Sequence, residues 1–148
     1  MTVAADPAAR TLDQSRMDWN GWPLERMVVG YIGFAYVLLG LQLWFSHSKA
    51  GYHNALMRVP LVVTPLLVLG AGSYVLTRGS AALSIAIFAL GLVVGIVGSV
   101  MHTRGVIKRP GGFTLRNMME GPPFLLSSAY WTLSAFALLV HFWPRIAG

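Results

Sequence analysis

Four uncharged apolar runs, Met27–Ser46, Val59–Thr77, Ala81–Met101 and Gly121–Val140, fill more than half of the sequence, and each is long enough to cross a bilayer. An α-helix rises about 1.5 Å per residue, so about 20 apolar residues match a hydrocarbon layer about 30 Å deep. Lipid offers backbone amides no partner, so a single segment crosses it only as a helix that satisfies its own N–H and C=O groups. The fold class that follows is all-α, an integral membrane four-helix bundle with antiparallel transmembrane helices. Its expected parts are a polar N-terminal tail (1–26), a transmembrane domain (27–143, helices about 27–46, 59–77, 81–101 and 121–143) and a C-terminal tail (144–148).

Composition narrows the function classes. Of 148 residues, 55% are hydrophobic and 11% charged, which leaves no room for a separate soluble domain. The absence of cysteine excludes disulfides, thiolate metal sites, iron–sulfur clusters and cysteine nucleophiles together. The first 26 residues mix acids with bases and lack the short apolar core of a cleaved signal, so the expectation is a mature tail. Trp19 and Trp22 precede the first span, where indoles prefer the headgroup level. The net charge of +6 is spread over loops beside a bilayer, which suits anionic lipid headgroups and argues against nucleic acid.

Four spans place both termini on one side and the longer loops, His47–Arg58 and His102–Glu120, on the other. Lys49, Arg58, Arg104, Lys108, Arg109 and Arg116 lie on the loop side; Arg10, Arg16, Arg26, Arg78 and Arg145 lie opposite. Six bases against five favour cytoplasmic loops and termini on the non-cytoplasmic side. Arg78–Gly79–Ser80 makes the second and third spans a tight antiparallel pair, the safest helix contact to expect. Pro65 should bend the second helix or free a carbonyl, and Pro144 should stop the fourth.

In lipid, small residues mark where helices approach closely. Gly91, Gly95 and Ser99 recur at every fourth position of the third span, with Gly98 beside them, and His102 extends the same stripe. On the first span His47 follows Gly40 by seven residues. These two spans run in the same direction, so His47 and His102 end at similar depth. A porphyrin held between helices wants a histidine on each and glycine on the preceding turns. The spacing resembles that of small b-type cytochrome membrane subunits, over these few residues. It implies one b-type haem bound by His47 and His102 with Gly40 and Gly95 beside the ring; the plain alternative is a helix–helix seam ending in two interfacial histidines.

The fourth span carries Ser127, Tyr130, Ser134 and His141 at helical spacing, a polar face that could line a quinone site at Tyr130, Ser134 and His141 or bond to neighbouring helices. No Asp, Glu, Lys or Arg lies within the four runs, which argues against an ion or proton pathway. No paired carboxylates, nucleophile elbow, phosphate-binding glycine loop or zinc motif occurs, and His47 and His53 have the wrong spacing for one helical face. Arg104, Lys108, Arg109 and Arg116 make the loop 102–120 a surface for lipid headgroups or another subunit. Two functions follow as expectations: an accessory or anchor subunit of a larger membrane redox complex, with or without one haem; or a small enzyme or binding protein for lipid headgroups or quinone, with His102 moving a proton. The first carries no catalysis or protein-bound metal of its own.

Overall fold

The computed structural model describes residues 18–19, 22–77 and 81–146. Two short extended segments, β1 (Asp18–Trp19) and β2 (Trp22–Pro23), pair antiparallel ahead of the first helix. The rest is helical: α1 (Leu24–Lys49), a single 3-10 turn (Ala55–Arg58), α2 (Val59–Thr77), α3 (Ala81–Ile107), the short α4 (Leu115–Glu120) and α5 (Phe124–Ile146). Among the described residues four helices are long and apolar enough to span a membrane, as expected for an all-α bundle.

Helix ends differ from expectation for local reasons. The first helix begins three residues early, at Leu24, directly after Pro23, with Glu25 in its first turn where the helix dipole favours an acid. The third runs past Met101 through His102 and Arg104 to Ile107, because Val106 is fully buried and keeps that last turn packed. The fourth span starts after Pro122 and Pro123 rather than at Gly121. It continues through Pro144 to Ile146: so near a helix end, proline removes one hydrogen bond without needing to stop the chain. Pro65 sits inside α2, and in the same turn the Thr64 hydroxyl donates to the Pro60 carbonyl at 2.6 Å.

Around the bundle α1 packs on α2, α2 on α3, α3 on α5 and α5 on α1, so α1 and α3 face each other across the centre. The expected α2/α3 pair is in contact, while the α3/α5 contact is the most extensive, followed by α1/α2. The small-residue stripe explains this order. A Cβ built on Gly95 would stand 2.7 Å from the backbone nitrogen of Trp131, so only glycine lets α3 lie this close to α5. The turn between α2 and α3, Arg78–Ser80, lies outside the described residues, as do residues 1–17 of the tail.

The core is one cluster built from α1 (Val29, Ile32, Tyr36, Leu43), α2 (Val63, Leu67, Ala71, Val75), α3 (Phe88) and α5 (Tyr130, Ala137). At its centre the Tyr36 hydroxyl donates to the Tyr130 carbonyl at 2.7 Å and shares a 2.6 Å hydrogen bond with the Ser134 hydroxyl. The Tyr130 hydroxyl in turn meets Thr64 Oγ1 at 3.2 Å. This chain of hydroxyls links α1, α2 and α5 in a layer where lipid offers no alternative partner.

Candidate functional site

The two ends of the bundle are built differently, and the end carrying the long loops contains a cavity of about 530 Å³. That volume lies within the range of small-molecule pockets, about 300–1,000 Å³. Every spanning helix contributes: His47 and Leu43 from α1, Pro60 from α2, Gly95, Gly98 and His102 from α3, Ser127 and Tyr130 from α5, with Pro122 just ahead of α5. The walls are predominantly apolar, and the imidazoles on them are the strongest donors of electron pairs.

The position of each histidine follows from its helix. His47 lies in the last turn of α1, buried, with Nδ1 2.8 Å from the Leu43 carbonyl. A carbonyl only accepts, so Nδ1 carries the proton and, in the neutral ring, the bare electron pair is on Nε2. That is the arrangement by which proteins orient a metal-binding imidazole. His102 reaches the same cavity because α3 stays helical beyond Met101; a loop beginning at residue 102 would not have fixed its ring. Tyr130 forms part of the floor, its hydroxyl tied to Thr64.

A third histidine, His53, lines the cavity from the α1–α2 connection. The chain turns back there through two successive left-handed residues, Gly51 at φ +72° and Tyr52 at φ +48°. Glycine adopts this freely, whereas tyrosine does so at a cost, here offset by a 2.7 Å hydrogen bond between the Ser48 and Tyr52 hydroxyls. Asn54 then caps the 3-10 turn by accepting from the Leu56 amide at 3.0 Å. Sequence spacing set His53 aside because it shares no helical face with His47; the reversal brings it back over the bundle end. The signal was present as a Gly followed three residues later by a capping Asn.

Other expected site residues separate. Gly95 lines the cavity, although its Cα faces Trp131 of α5. Gly40 does not: it lets α1 approach Thr64 of α2. Of the polar face on α5, only Ser127 and Tyr130 reach the cavity. Ser134 is fully buried one turn deeper against Tyr36, and His141 lies at the opposite end, 2.9 Å from the Ser84 hydroxyl and edge-on to Tyr74. The face is therefore spread over the height of the bundle.

The loop 108–114 is ordered by one side chain. Asn117 of α4 is buried and donates from Nδ2 to the carbonyls of Pro110 at 3.0 Å and Gly112 at 2.7 Å, while Thr114 caps α4. Arg104, Lys108 and Arg116 are exposed and Arg109 half-buried, and none of the four lines the cavity. Glu120 is ion-paired with Arg116 at 3.0 Å. Among the described residues no group of three or more His, Asp or Glu side chains could hold a metal ion. No known family matches this chain, and no curated protein or solved structure matches it.

Proposed function

We propose that this membrane protein carries a single b-type haem in the loop-end cavity, which His47 and His102 would hold, and serves as the cofactor-carrying or anchor subunit of a larger membrane redox assembly. The observation that supports this reading is that two imidazoles, from helices facing each other across the bundle, line one predominantly apolar cavity of about 530 Å³. Two histidines are too few to hold a bare ion, but a porphyrin brings four nitrogens of its own and asks the protein for only two more.

In this reading the haem supplies a one-electron couple. The residues do the rest. His47 offers Nε2 with its orientation fixed by the Leu43 carbonyl, and His102 offers its ring from α3. Leu43, Met57, Val94 and Pro122 line the cavity and would shield the bound group from water. Exposed Arg104, Lys108 and Arg116 at the same end suit contact with anionic headgroups or a partner subunit. A headgroup-modifying enzyme has less support, since the Glu120 carboxylate that would serve His102 is engaged by Arg116.

The test is spectroscopic. Purified in mild detergent and titrated with haemin, the protein should show saturable one-to-one binding and an absorption band that shifts on reduction with dithionite. Either His47→Leu or His102→Leu should abolish the low-spin spectrum while membrane insertion is retained. A protein that binds no haemin, or a His102→Leu variant with the complete spectrum, overturns the proposal.

A further inference from the structure

We infer that α1 carries the interface for a second copy of this chain, a lipid-facing seam along which two parallel α1 helices pack and their Gln42 amides hydrogen-bond to each other. Tyr31, Ala35, Leu38, Gln42, Phe45 and Lys49 follow one another along α1 in alternating steps of four and three residues. That heptad spacing keeps one side of a helix against a partner helix through a left-handed supercoil. The bundle itself does not use this side. Its core takes Val29, Ile32, Tyr36 and Leu43 from α1, whereas Tyr31 is 70%, Leu38 54% and Phe45 65% exposed. Gln42 and Lys49 are exposed as well, and Ala35 is half-buried.

Gln42 is the residue that a surface meant only for lipid tails does not explain. The 26 residues of α1 span about 39 Å, against a hydrocarbon layer about 30 Å deep. Gln42 stands about 10 Å along the axis from Lys49, the last residue of the helix, and so lies within the hydrocarbon. Among the described residues nothing hydrogen-bonds to its amide. Thr132 of α5 is exposed too, but its hydroxyl donates back to the Ser128 carbonyl at 2.9 Å. A second copy supplies what Gln42 lacks. It crosses the membrane with the same topology, so its α1 runs parallel and brings its own Gln42 to the same depth. A primary amide is complementary to itself: each N–H donates to the other carbonyl, giving two hydrogen bonds about a two-fold axis. One polar residue at a core position of a heptad seam also fixes the register and the number of helices. In that register Tyr31, Leu38 and Phe45 each meet their counterpart, and Lys49 falls where a long side chain reaches water. None of the six seam residues lines the cavity, so pairing and haem binding are separable.

The chain contains no cysteine, so a single introduced thiol reports by itself. In phosphatidylcholine liposomes at low protein density, full-length Leu38→Cys and Phe45→Cys should each form a disulfide-linked dimer on oxidation with copper phenanthroline. Leu69→Cys, equally lipid-facing but on α2, should stay monomeric. Energy transfer between donor- and acceptor-labelled copies, followed as lipid dilutes them, then gives the dissociation constant. Gln42→Leu should raise it about tenfold or more, the scale of interhelical hydrogen bonds between membrane helices. Leucine suits hydrocarbon better than glutamine, so insertion is retained. Cross-linking at Leu38 and Phe45 no greater than at Leu69 overturns the self-pairing and leaves a helix of another protein as the occupant. Equal dissociation constants for wild type and Gln42→Leu overturn the amide pair, with Gln42 then reaching the headgroups instead.

Discussion

His141 and His102 sit near opposite ends of the same bundle, and their surroundings differ in kind. The ring of His141 is closed in by contacts: Ser84 at 2.9 Å, Tyr74 edge-on with ring centroids 4.6 Å apart, and Phe88 at 6.2 Å. Nearby, Arg26 of α1 donates across to the Val75 carbonyl of α2. His102 instead faces open volume, shared with His47 and His53. One end spends its polar groups on holding helices together; the other leaves them directed at a space. A histidine near a membrane helix terminus is thus not a functional signal by itself, and the difference lies in whether its neighbours already satisfy it.

If the α3/α5 seam is what holds the open end in shape, damage there should exceed damage elsewhere. Gly95→Ala places a methyl group 2.7 Å from the Trp131 backbone, which cannot rotate away as a side chain tip could. Forcing the helices apart should cost about 1–3 kcal/mol and weaken haemin binding as well, both measurable by unfolding in mixed micelles and by titration. Stability equal to wild type would mean that the cavity does not depend on this contact.

The hydroxyl chain between the two ends should matter less. Tyr36→Phe removes the hydrogen bonds to the Tyr130 carbonyl and Ser134 without changing the packed ring. Interhelical hydrogen bonds in membranes contribute about 0.6 kcal/mol each, so a loss of about 1 kcal/mol is expected in the same unfolding assay. Because Tyr130 also lines the cavity floor, a small displacement of the haem band should accompany it. No change in stability would mean that packing alone fixes this layer.

The spans were legible because hydrocarbon leaves a backbone few choices, and runs of about 20 uncharged residues mean the same thing in nearly any context. The stripe at Gly91, Gly95 and Ser99 was legible for a related reason: close approach needs small residues wherever it occurs. What escaped depends on distances through space. Gly40 and Gly95 look equivalent in sequence, yet one meets Thr64 and the other Trp131, and only the second borders the cavity. His47 and His102 could be matched in depth because parallel helices share a ruler. His53 could not, since its place depends on two left-handed backbone angles at Gly51 and Tyr52. The pairing of α2 with α3 was legible from their short connection, whereas how far each helix pair stays together along its length was not, because chain order does not say where helices part.

The smallest effect is also the sharpest comparison. Ser84→Ala removes one hydrogen bond from His141 and leaves its contacts with Tyr74 and Phe88 in place. At about 0.6 kcal/mol the loss of stability should be barely resolved in mixed micelles. The haem spectrum, its reduction by dithionite and its affinity should remain those of wild type, because nothing at this end borders the cavity. If the same substitution instead shifted the haem band, His141 would be acting on the cofactor from across the bundle, and the division between a packed end and a receiving end would fail.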